Sequence, residues 1–235
     1  MQLRDHTAII TGASSGLGQA TALVLARAGA NIVMSARRPE KLSAAAEAVR
    51  KTEAKVLTLA TDVGRADQVE RLVQTTLETF GRVDTLVNNA GLDYPAPITE
   101  LTVEQWNAII AVNLSGVFYA CKAVFPIMMK QGGGSIFNIS SVAGKRGWPN
   151  ATAYCATKFA LTGFTQALMG EGKPHNIRCS VIYPGGMDTG WHKERNPDFL
   201  NPEDVGKFLL HLITQDPRFV VNEAVVTPMN EGGYP

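Results

Sequence analysis

Short apolar runs alternate with longer stretches of helical periodicity along most of this chain. The short runs are rich in valine, isoleucine and leucine, which is typical of buried parallel strands. Strands are predicted at residues 7–11, 31–35, 55–60, 83–87, 136–139, 178–182 and 219–226. Helices are predicted from the glycine-rich segment to about residue 28, at 39–50, after the third strand to about residue 80, at 103–130, from Tyr154 to about 172, and at 203–213. This alternation predicts an α/β fold of the Rossmann type, a doubly wound and mainly parallel seven-stranded sheet with helices on both faces.

The predicted helix 103–130 differs from the others because apolar residues surround it almost completely. One face of a sheet cannot cover so many apolar side chains. The next helix carries a stripe of small residues, which lets another helix approach closely, at Ala156, Ala160, Gly163 and Ala167. These features predict a homodimer or homotetramer built on the two helices. Asn113 lies in the middle of helix 103–130 and is expected to hold a local backbone distortion or a water, with an internally bonded core amide as the alternative.

Composition sets limits on the function. The chain has 235 residues, 45% of them hydrophobic, which suits one domain spanning residues 1–235. The formal net charge is +1 with both signs interspersed, so neither nucleic acid nor a membrane surface is an expected partner. Because no charged-then-apolar leader opens the chain, a cytoplasmic location is expected. The three cysteines and four histidines lack ligand spacing, so no metal site is predicted.

A glycine-rich segment joins the first strand to the first helix. Its residues are Gly12, Ala13, Ser14, Ser15, Gly16, Leu17 and Gly18. Three glycines in a strand–turn–helix context let the backbone approach a pyrophosphate and direct helix N-terminal amides at it. The same letters fit the G-x-S-x-G nucleophile elbow of hydrolases, but Gly18 has no role in an elbow and Ser14 follows the first strand of the chain. We therefore favour a dinucleotide site over a hydrolase.

The ends of the second and third strands suggest which dinucleotide binds. A dinucleotide site usually has an acidic residue at the end of the second strand for a ribose hydroxyl, whereas an arginine suits a 2′-phosphate. Here Ala36 is followed by Arg37 and Arg38, so NADP(H) is the predicted cofactor. The alternative is that the arginines only cover the start of a helix. Asp62, with Val63, is expected to meet the adenine or to cap the next helix.

Tyr154 and Lys158 stand one helical turn apart and form a candidate proton donor. At about 5 Å and an effective dielectric constant near 20, the ammonium favours the phenolate by roughly 3 kcal/mol, or about two pKa units. Tyr154 is therefore expected to titrate near neutrality. Ser141 precedes it by thirteen residues, at the end of the fifth predicted strand.

Taken together, these motifs resemble those of the classical short-chain dehydrogenase/reductase family. The matching positions, in family order and spacing, are Thr11, Gly12, Gly16, Gly18, Asp62, Asn88, Asn89, Ala90, Gly91, Asn113, Ser141, Tyr154, Lys158, Pro184 and Gly185. The resemblance implies that Tyr154 exchanges a proton with the substrate oxygen while Ser141 holds that oxygen. It further implies that Lys158 contacts the nicotinamide ribose, that Asn113 anchors a water, and that Thr189 reaches the carboxamide.

The expected substrate is a small alcohol or ketone. Its pocket is expected to include Ser141, Ala143, Trp148, Tyr154, Gly186 and Trp191. The segment 190–201 is interpreted as a substrate lid. The predicted function is hydride transfer between NADP(H) and an alcohol or carbonyl group, and the alternative is a catalytically idle NADP-binding sensor or scaffold on the same fold.

Overall fold

The computed structural model describes residues 2–190 and 196–230. Seven parallel strands form one sheet in the order β3-β2-β1-β4-β5-β6-β7. The strands are β1 Thr7–Thr11, β2 Asn31–Ala36, β3 Val56–Ala60, β4 Thr85–Asn88, β5 Gly134–Ile139, β6 Ile177–Pro184 and β7 Glu223–Val226. Because each strand is parallel to its neighbours, all carboxyl ends lie at one edge of the sheet.

Helices cover both faces of the sheet. They are α1 Gly16–Arg27, α2 Pro39–Arg50, α3 Ala66–Phe80, α4 Val103–Ile110, α5 Gly116–Gln131, α6 Thr152–Gly172 and α7 Pro202–Ile213. Residues of α1, α2 and α7 form the core on one face, and residues of α3, α5 and α6 form the core on the other. The strand order reverses between β1 and β4, so a cleft opens above their carboxyl ends. The predicted doubly wound fold is confirmed.

Two strands begin two or more residues later than the apolar pattern predicts. Strand β4 begins at Thr85 rather than residue 83, because the Asp84 carboxylate accepts the Thr7 N–H at 2.8 Å and an Arg82 N–H at 2.7 Å. Strand β7 begins at Glu223 rather than 219. Phe219 instead belongs to a turn, in which its N–H donates to the Asp216 carbonyl at 2.8 Å.

The predicted helix 103–130 is one helical segment with a wide turn at its middle. Thr102 begins it with a capping box, in which its hydroxyl accepts the Gln105 N–H at 3.2 Å and its own N–H donates to the Gln105 side chain at 3.0 Å. Residues Ala111–Ser115 form a π-turn between α4 and α5, and Asn113 lies at its centre. The expected backbone distortion at Asn113 is therefore present.

By length and composition alone, the segment Val103–Gln131 could cross a membrane, with 29 residues and a mean hydropathy of 1.7 over its most apolar window. Its inward side chains, among them Val117, Val124 and Met128, belong to the core around the sheet. Its outward side chains include Phe118, which is 45% exposed. The segment is a core helix with one apolar face that residues 2–190 and 196–230 leave partly exposed.

Candidate active site

A cavity of about 1060 Å³ lies above the carboxyl ends of the strands, at the point where the strand order reverses. Its walls come from the glycine-rich segment, from the ends of β2, β3, β4, β5 and β6, and from the start of α6. The volume is at the upper end of the range for small-molecule and cofactor sites. The cavity therefore has room for an elongated ligand that reaches from the β2 end to α6.

The glycine turn forms one wall of this cavity. Gly12 and Gly16 adopt left-handed backbone conformations, with φ of +66° and +54°. A Cβ atom at Gly12 would lie 2.8 Å from the Ala90 Cα atom, and one at Gly16 would lie 2.8 Å from the Thr189 Cβ atom. Gly18 lies behind the turn, since a Cβ there would come within 2.5 Å of the Gly12 carbonyl oxygen. Gly18 thus packs the turn against α1 and does not itself line the cavity.

The segment after β4 supports the glycine turn from inside. The Asn89 side chain donates to the carbonyls of Thr11 at 3.0 Å and of Gly12 at 3.3 Å. The Ala90 N–H donates to the Thr11 hydroxyl at 3.1 Å, and Gly91 continues along the wall. The turn is therefore held open at the N-terminus of α1, and its backbone together with Ser14, Ser15 and Leu17 fits the pyrophosphate of a dinucleotide.

Arg37 and Arg38 line the far end of the cavity and are both exposed. Arg38 is the N-cap residue of α2, yet its side chain makes no capping hydrogen bond. Within residues 2–190 and 196–230, neither guanidinium has a hydrogen bond or an ion pair. Both cations are therefore available to an anionic group at this end.

Asp62 and Val63 line the cavity beside the arginines. Asp62 does not cap helix α3, whose N-cap residue is Arg65. Its carboxylate instead accepts the Gly64 N–H at 3.0 Å, which closes a tight turn after β3. The capping alternative for Asp62 is wrong, and a carboxylate that accepts one backbone N–H can still accept from an amino group.

The end of β6 closes the cavity opposite α6. Pro184 and Gly185 line it, and the Gly185 N–H donates to the Val226 carbonyl at 2.8 Å. Thr189 lines it as well and packs against the glycine turn at Gly16. The residues predicted from the sequence for the nicotinamide end thus lie on one wall.

Tyr154 and Ser141 meet across the inner end of the cavity. Tyr154 lies in the first turn of α6, and Ser141 directly follows β5, where its hydroxyl accepts the Ala143 N–H at 3.1 Å. Burial raises the pKa of the Tyr154 phenol to about 12, while a hydrogen bond from Ser141 acts in the opposite direction. The two hydroxyl groups are therefore placed to share one oxygen atom of a substrate.

Lys158 lies beneath the Tyr154 ring and is 4% exposed. Its Nζ lies 5.4 Å from the ring centre and donates to the Ile139 carbonyl at 2.8 Å. Burial lowers the pKa of Lys158 to about 8. The expectation that Tyr154 titrates near neutrality is wrong for the protein without a cofactor, because burial raises the pKa of the phenol to about 12 and outweighs the hydrogen bond from Ser141 that lowers it.

Asn113 does not reach the cavity. Its amide oxygen accepts the Leu92 N–H at 2.8 Å, and its amide nitrogen donates to the Leu92 carbonyl at 2.8 Å and to the Thr157 hydroxyl at 3.2 Å. The internally bonded amide, the alternative weighed from the sequence, is the arrangement observed. The side chain has no free N–H with which to bind a water, and it clamps the segment after β4 instead.

The substrate end of the cavity differs in part from the sequence prediction. Trp148 and Gly186 line it, as predicted, but Ala143 is fully buried beneath the loop and is not part of the wall. Ala143 packs against Ala151 and Cys155 because the short helical turn after Ser141 directs it inward. Trp191 lies outside the described residues.

Phe199 and Asp93 are among the lining residues that the sequence did not predict. Phe199 lies against Gly186, where an added Cβ would come within 2.6 Å of its ring, so the segment 196–201 folds back over the cavity. The Leu200 N–H joins that segment to the Gly186 carbonyl at 3.0 Å. Asp93 lines the opposite side. A charged residue two positions after the Asn-Asn-Ala-Gly motif was the available signal for Asp93.

Metal-binding and thiol chemistry find no support in the described part of the chain. It contains no group of three or more histidine, cysteine, aspartate or glutamate side chains that could hold a metal ion. Cys121, Cys155 and Cys179 are all buried free thiols. Burial raises the pKa of Cys121 and of Cys179, which disfavours the reactive thiolate.

Comparison with known proteins agrees with this geometry. The family model described as short chain dehydrogenase matches residues 6–199. An uncharacterized oxidoreductase of Staphylococcus aureus strain MRSA252 is 35% identical over 230 residues, which cover 97% of this chain and 99% of the relative. The chain therefore belongs to the short-chain dehydrogenase family, and it is an oxidoreductase of that family.

Two solved structures show the same fold. A metagenomic short-chain oxidoreductase in complex with NADP is 31% identical with a TM-score of 0.88, over 98% of this chain and all (100%) of that one. An alcohol dehydrogenase from the archaeon Thermococcus sibiricus, complexed with 5-hydroxy-NADP, is 30% identical with a TM-score of 0.91, over 98% of this chain and 99% of that one. Members of this family use NAD or NADP.

Proposed function

We propose that this protein is an NADP(H)-dependent oxidoreductase that interconverts alcohol and carbonyl groups on a small molecule. Residues 1–235 would act as one NADP-binding domain. The observation that carries the proposal is the contact between Ser141 and Tyr154 beside the buried Lys158, in the same cavity as the glycine turn. A protein that only binds the cofactor has no need of this trio.

The nicotinamide of the bound cofactor supplies or accepts the hydride. Tyr154, whose pKa of about 12 keeps it protonated at neutral pH, donates its proton to the carbonyl oxygen during reduction. Ser141 holds that oxygen through its hydroxyl. Lys158 offers a positive charge next to the phenolate that is left, and this charge lowers the free energy of the ionised ring.

The choice of NADP over NAD rests on the end of β2. Arg37 and Arg38 supply two exposed guanidinium groups there, and Ala36 provides no carboxylate to accept from a ribose hydroxyl. An arginine fork suits a 2′-phosphate. The NADP and 5-hydroxy-NADP complexes of the two similar structures support the same choice.

The proposal includes the cellular location and the oligomeric state of the enzyme. Buried free thiols and interspersed surface charges suit the reducing cytoplasm. The uncovered apolar face of α4 and α5 supports a homodimer or homotetramer.

The test is a panel of ketones and aldehydes given to the purified protein with NADPH and, separately, with NADH, followed by the absorbance of the reduced cofactor. We expect turnover that prefers NADPH and that depends on Tyr154. Tight binding of NADPH with no turnover across the panel would instead assign the protein to the cofactor-binding sensors.

A further inference from the structure

Asp93 places a carboxylate beside the reacting end of the cavity. It lies half-buried on the cavity wall, two residues after Gly91. The backbone of the preceding residue is fixed from inside, because Asn113 holds both the N–H and the carbonyl of Leu92 at 2.8 Å. The carboxylate is close enough to the Tyr154 phenol to raise its pKa, although burial contributes more to that shift. The carboxylate therefore lies near the atom that exchanges a proton with the substrate.

Few groups around Asp93 stabilise the negative charge of its carboxylate. Its carboxylate accepts the Tyr94 N–H, and burial raises its pKa. Among the described residues that line the cavity, the other charged side chains are Arg37, Arg38, Asp62 and Lys158. The first three lie at the β2 and β3 ends, and Lys158 donates to the Ile139 carbonyl. A half-buried carboxylate with no cation beside it among the described residues is costly, so the site gains free energy from a ligand that brings one.

An aromatic side chain also lines this cavity. Trp148 lines the same cavity and is 43% exposed. The segment that carries it is joined to the segment that carries Asp93 through a 3.0 Å hydrogen bond from the Ala96 N–H to the Asn150 carbonyl. An indole face and a carboxylate together are the chemistry that recognises alkylammonium groups.

We propose that Asp93, with Trp148 on a neighbouring part of the cavity wall, selects substrates that carry a positively charged amine or quaternary ammonium group near the carbonyl or alcohol carbon. The proposal rests on the alcohol and carbonyl chemistry proposed above. A bound cation has a second consequence, because it offsets the effect of the Asp93 carboxylate on Tyr154. The phenolate left after proton donation is then less unfavourable than with a neutral substrate.

The experiment uses three methyl ketones that differ only in their terminal group, which is trimethylammonium, tert-butyl or carboxylate. The ammonium and tert-butyl groups have nearly the same shape, so their comparison isolates the charge. Each ketone is made with linkers of one and of three methylene groups, so that the charge samples two distances from the carbonyl. The value of kcat/KM with NADPH is measured for the wild type, for Asp93→Asn and for Glu100→Gln. Glu100 is an exposed carboxylate on the same connection, outside the cavity, and provides the matched control.

We expect the wild type and Glu100→Gln to favour the ammonium ketone over the tert-butyl ketone by about tenfold or more, and to disfavour the carboxylate. In Asp93→Asn the ratio of ammonium to tert-butyl should fall to within about twofold of one, whatever the absolute turnover of the two ketones. Equal wild-type values for the two isosteres, or an unchanged ratio in Asp93→Asn, would overturn the proposal while leaving the proposed function intact.

A binding measurement decides the proposal even without turnover. Calorimetric titration of the NADPH complex of Tyr154→Phe with the ammonium and tert-butyl ketones reports the charge preference directly, and the double variant with Asp93→Asn should lose it. A charge preference in binding, with no reduction of any ketone by the wild type, would support the role of Asp93 and contradict the proposed function. No difference in binding between the two isosteres would overturn the role of Asp93.

Discussion

The Nζ atom of Lys158 lies 5.4 Å from the centre of the Tyr154 ring and is held there by a 2.8 Å hydrogen bond to the Ile139 carbonyl. Burial acts on both groups in favour of the uncharged form, lowering the pKa of Lys158 to about 8 and raising that of Tyr154 to about 12. In the protein without ligand, both groups therefore ionise less readily than they would in water. A charged ligand in the cavity would shift both pKa values again.

Replacing Tyr154 with phenylalanine tests the proton donor. The change keeps the ring against Lys158 but removes the proton, so kcat should fall by about 10²-fold or more while the Kd for NADPH changes little. Tyr119→Phe, which removes a phenol from α5 outside the cavity, is the matched control and should retain full activity. Substantial residual turnover in Tyr154→Phe would contradict the assignment.

The buried Lys158 predicts an unusual dependence of stability on pH. Between about pH 8 and 10.5 the unfolded chain binds the Lys158 proton that the native protein has lost. Lys158 should therefore make the free energy of unfolding of the cofactor-free protein rise with pH above 8, by at most about 1.4 kcal/mol per pH unit, whereas the buried thiols Cys121 and Cys179, whose pKa values burial raises, make it fall. Above pH 10 Tyr154 opposes this rise, because the native phenol keeps its proton up to about 12.

Urea unfolding at several pH values between 8 and 10 measures this slope. Lys158→Met should make this slope more negative, because it removes the rising contribution and leaves those of Cys121, Cys179 and Tyr154, whereas Lys130→Met, which removes an exposed ammonium from α5, should leave it as in the wild type. The same slope in Lys158→Met and in the wild type would show that Lys158 does not contribute to it.

Arg37 is expected to set the preference for NADP over NAD. A charge-assisted hydrogen bond to the 2′-phosphate contributes about 1.5 to 3 kcal/mol, which corresponds to roughly 10- to 150-fold in the ratio of dissociation constants. Arg37→Ala should remove most of this ratio, and Ala36→Asp combined with Arg37→Ile should reverse it by repelling the phosphate. The measurement is the Kd of NADPH and of NADH for each variant at one ionic strength.

An exposed arginine outside the cavity provides the control for this comparison. Arg71→Ala, on α3, should leave the ratio unchanged. Equal affinities of the wild type for the two cofactors, or an unchanged ratio in Arg37→Ala, would show that Arg37 merely covers the start of α2.

Assembly is expected to use α5 and α6. Phe118 and Phe159 are 45% and 47% exposed, and a Cβ at Gly163 would meet no atom within 4 Å. Sedimentation should therefore show a dimer or tetramer at micromolar concentration. Gly163→Leu should weaken the assembly without unfolding the subunit, because the added side chain has open space in the single chain.

Lys41→Leu adds a leucine to the opposite face of the sheet, on α2, and should leave the assembly unchanged. A wild-type protein that sediments at 25.2 kDa would contradict the predicted assembly.

The sequence by itself determined the order of strands and helices, the glycine turn and the one-turn spacing of Tyr154 and Lys158. These are local features. A period of two or 3.6 residues, a glycine where φ is positive, and two side chains on one helix face depend only on neighbours in the chain. The family motifs placed the same residues around one cleft, since the carboxyl ends of parallel strands meet at one edge.

Only the tertiary structure decided which side chains face the cavity and how they ionise. Asn113 is turned to Leu92, 21 residues away along the chain, so its amide supports the cavity wall from behind and does not bind the expected water. Ala143 is buried and Phe199 is brought over Gly186 by contacts between separate connections, which no local pattern encodes. The pKa of Tyr154 depends on how much water the packed loops exclude, and that exclusion reverses the direction predicted from the spacing to Lys158 alone.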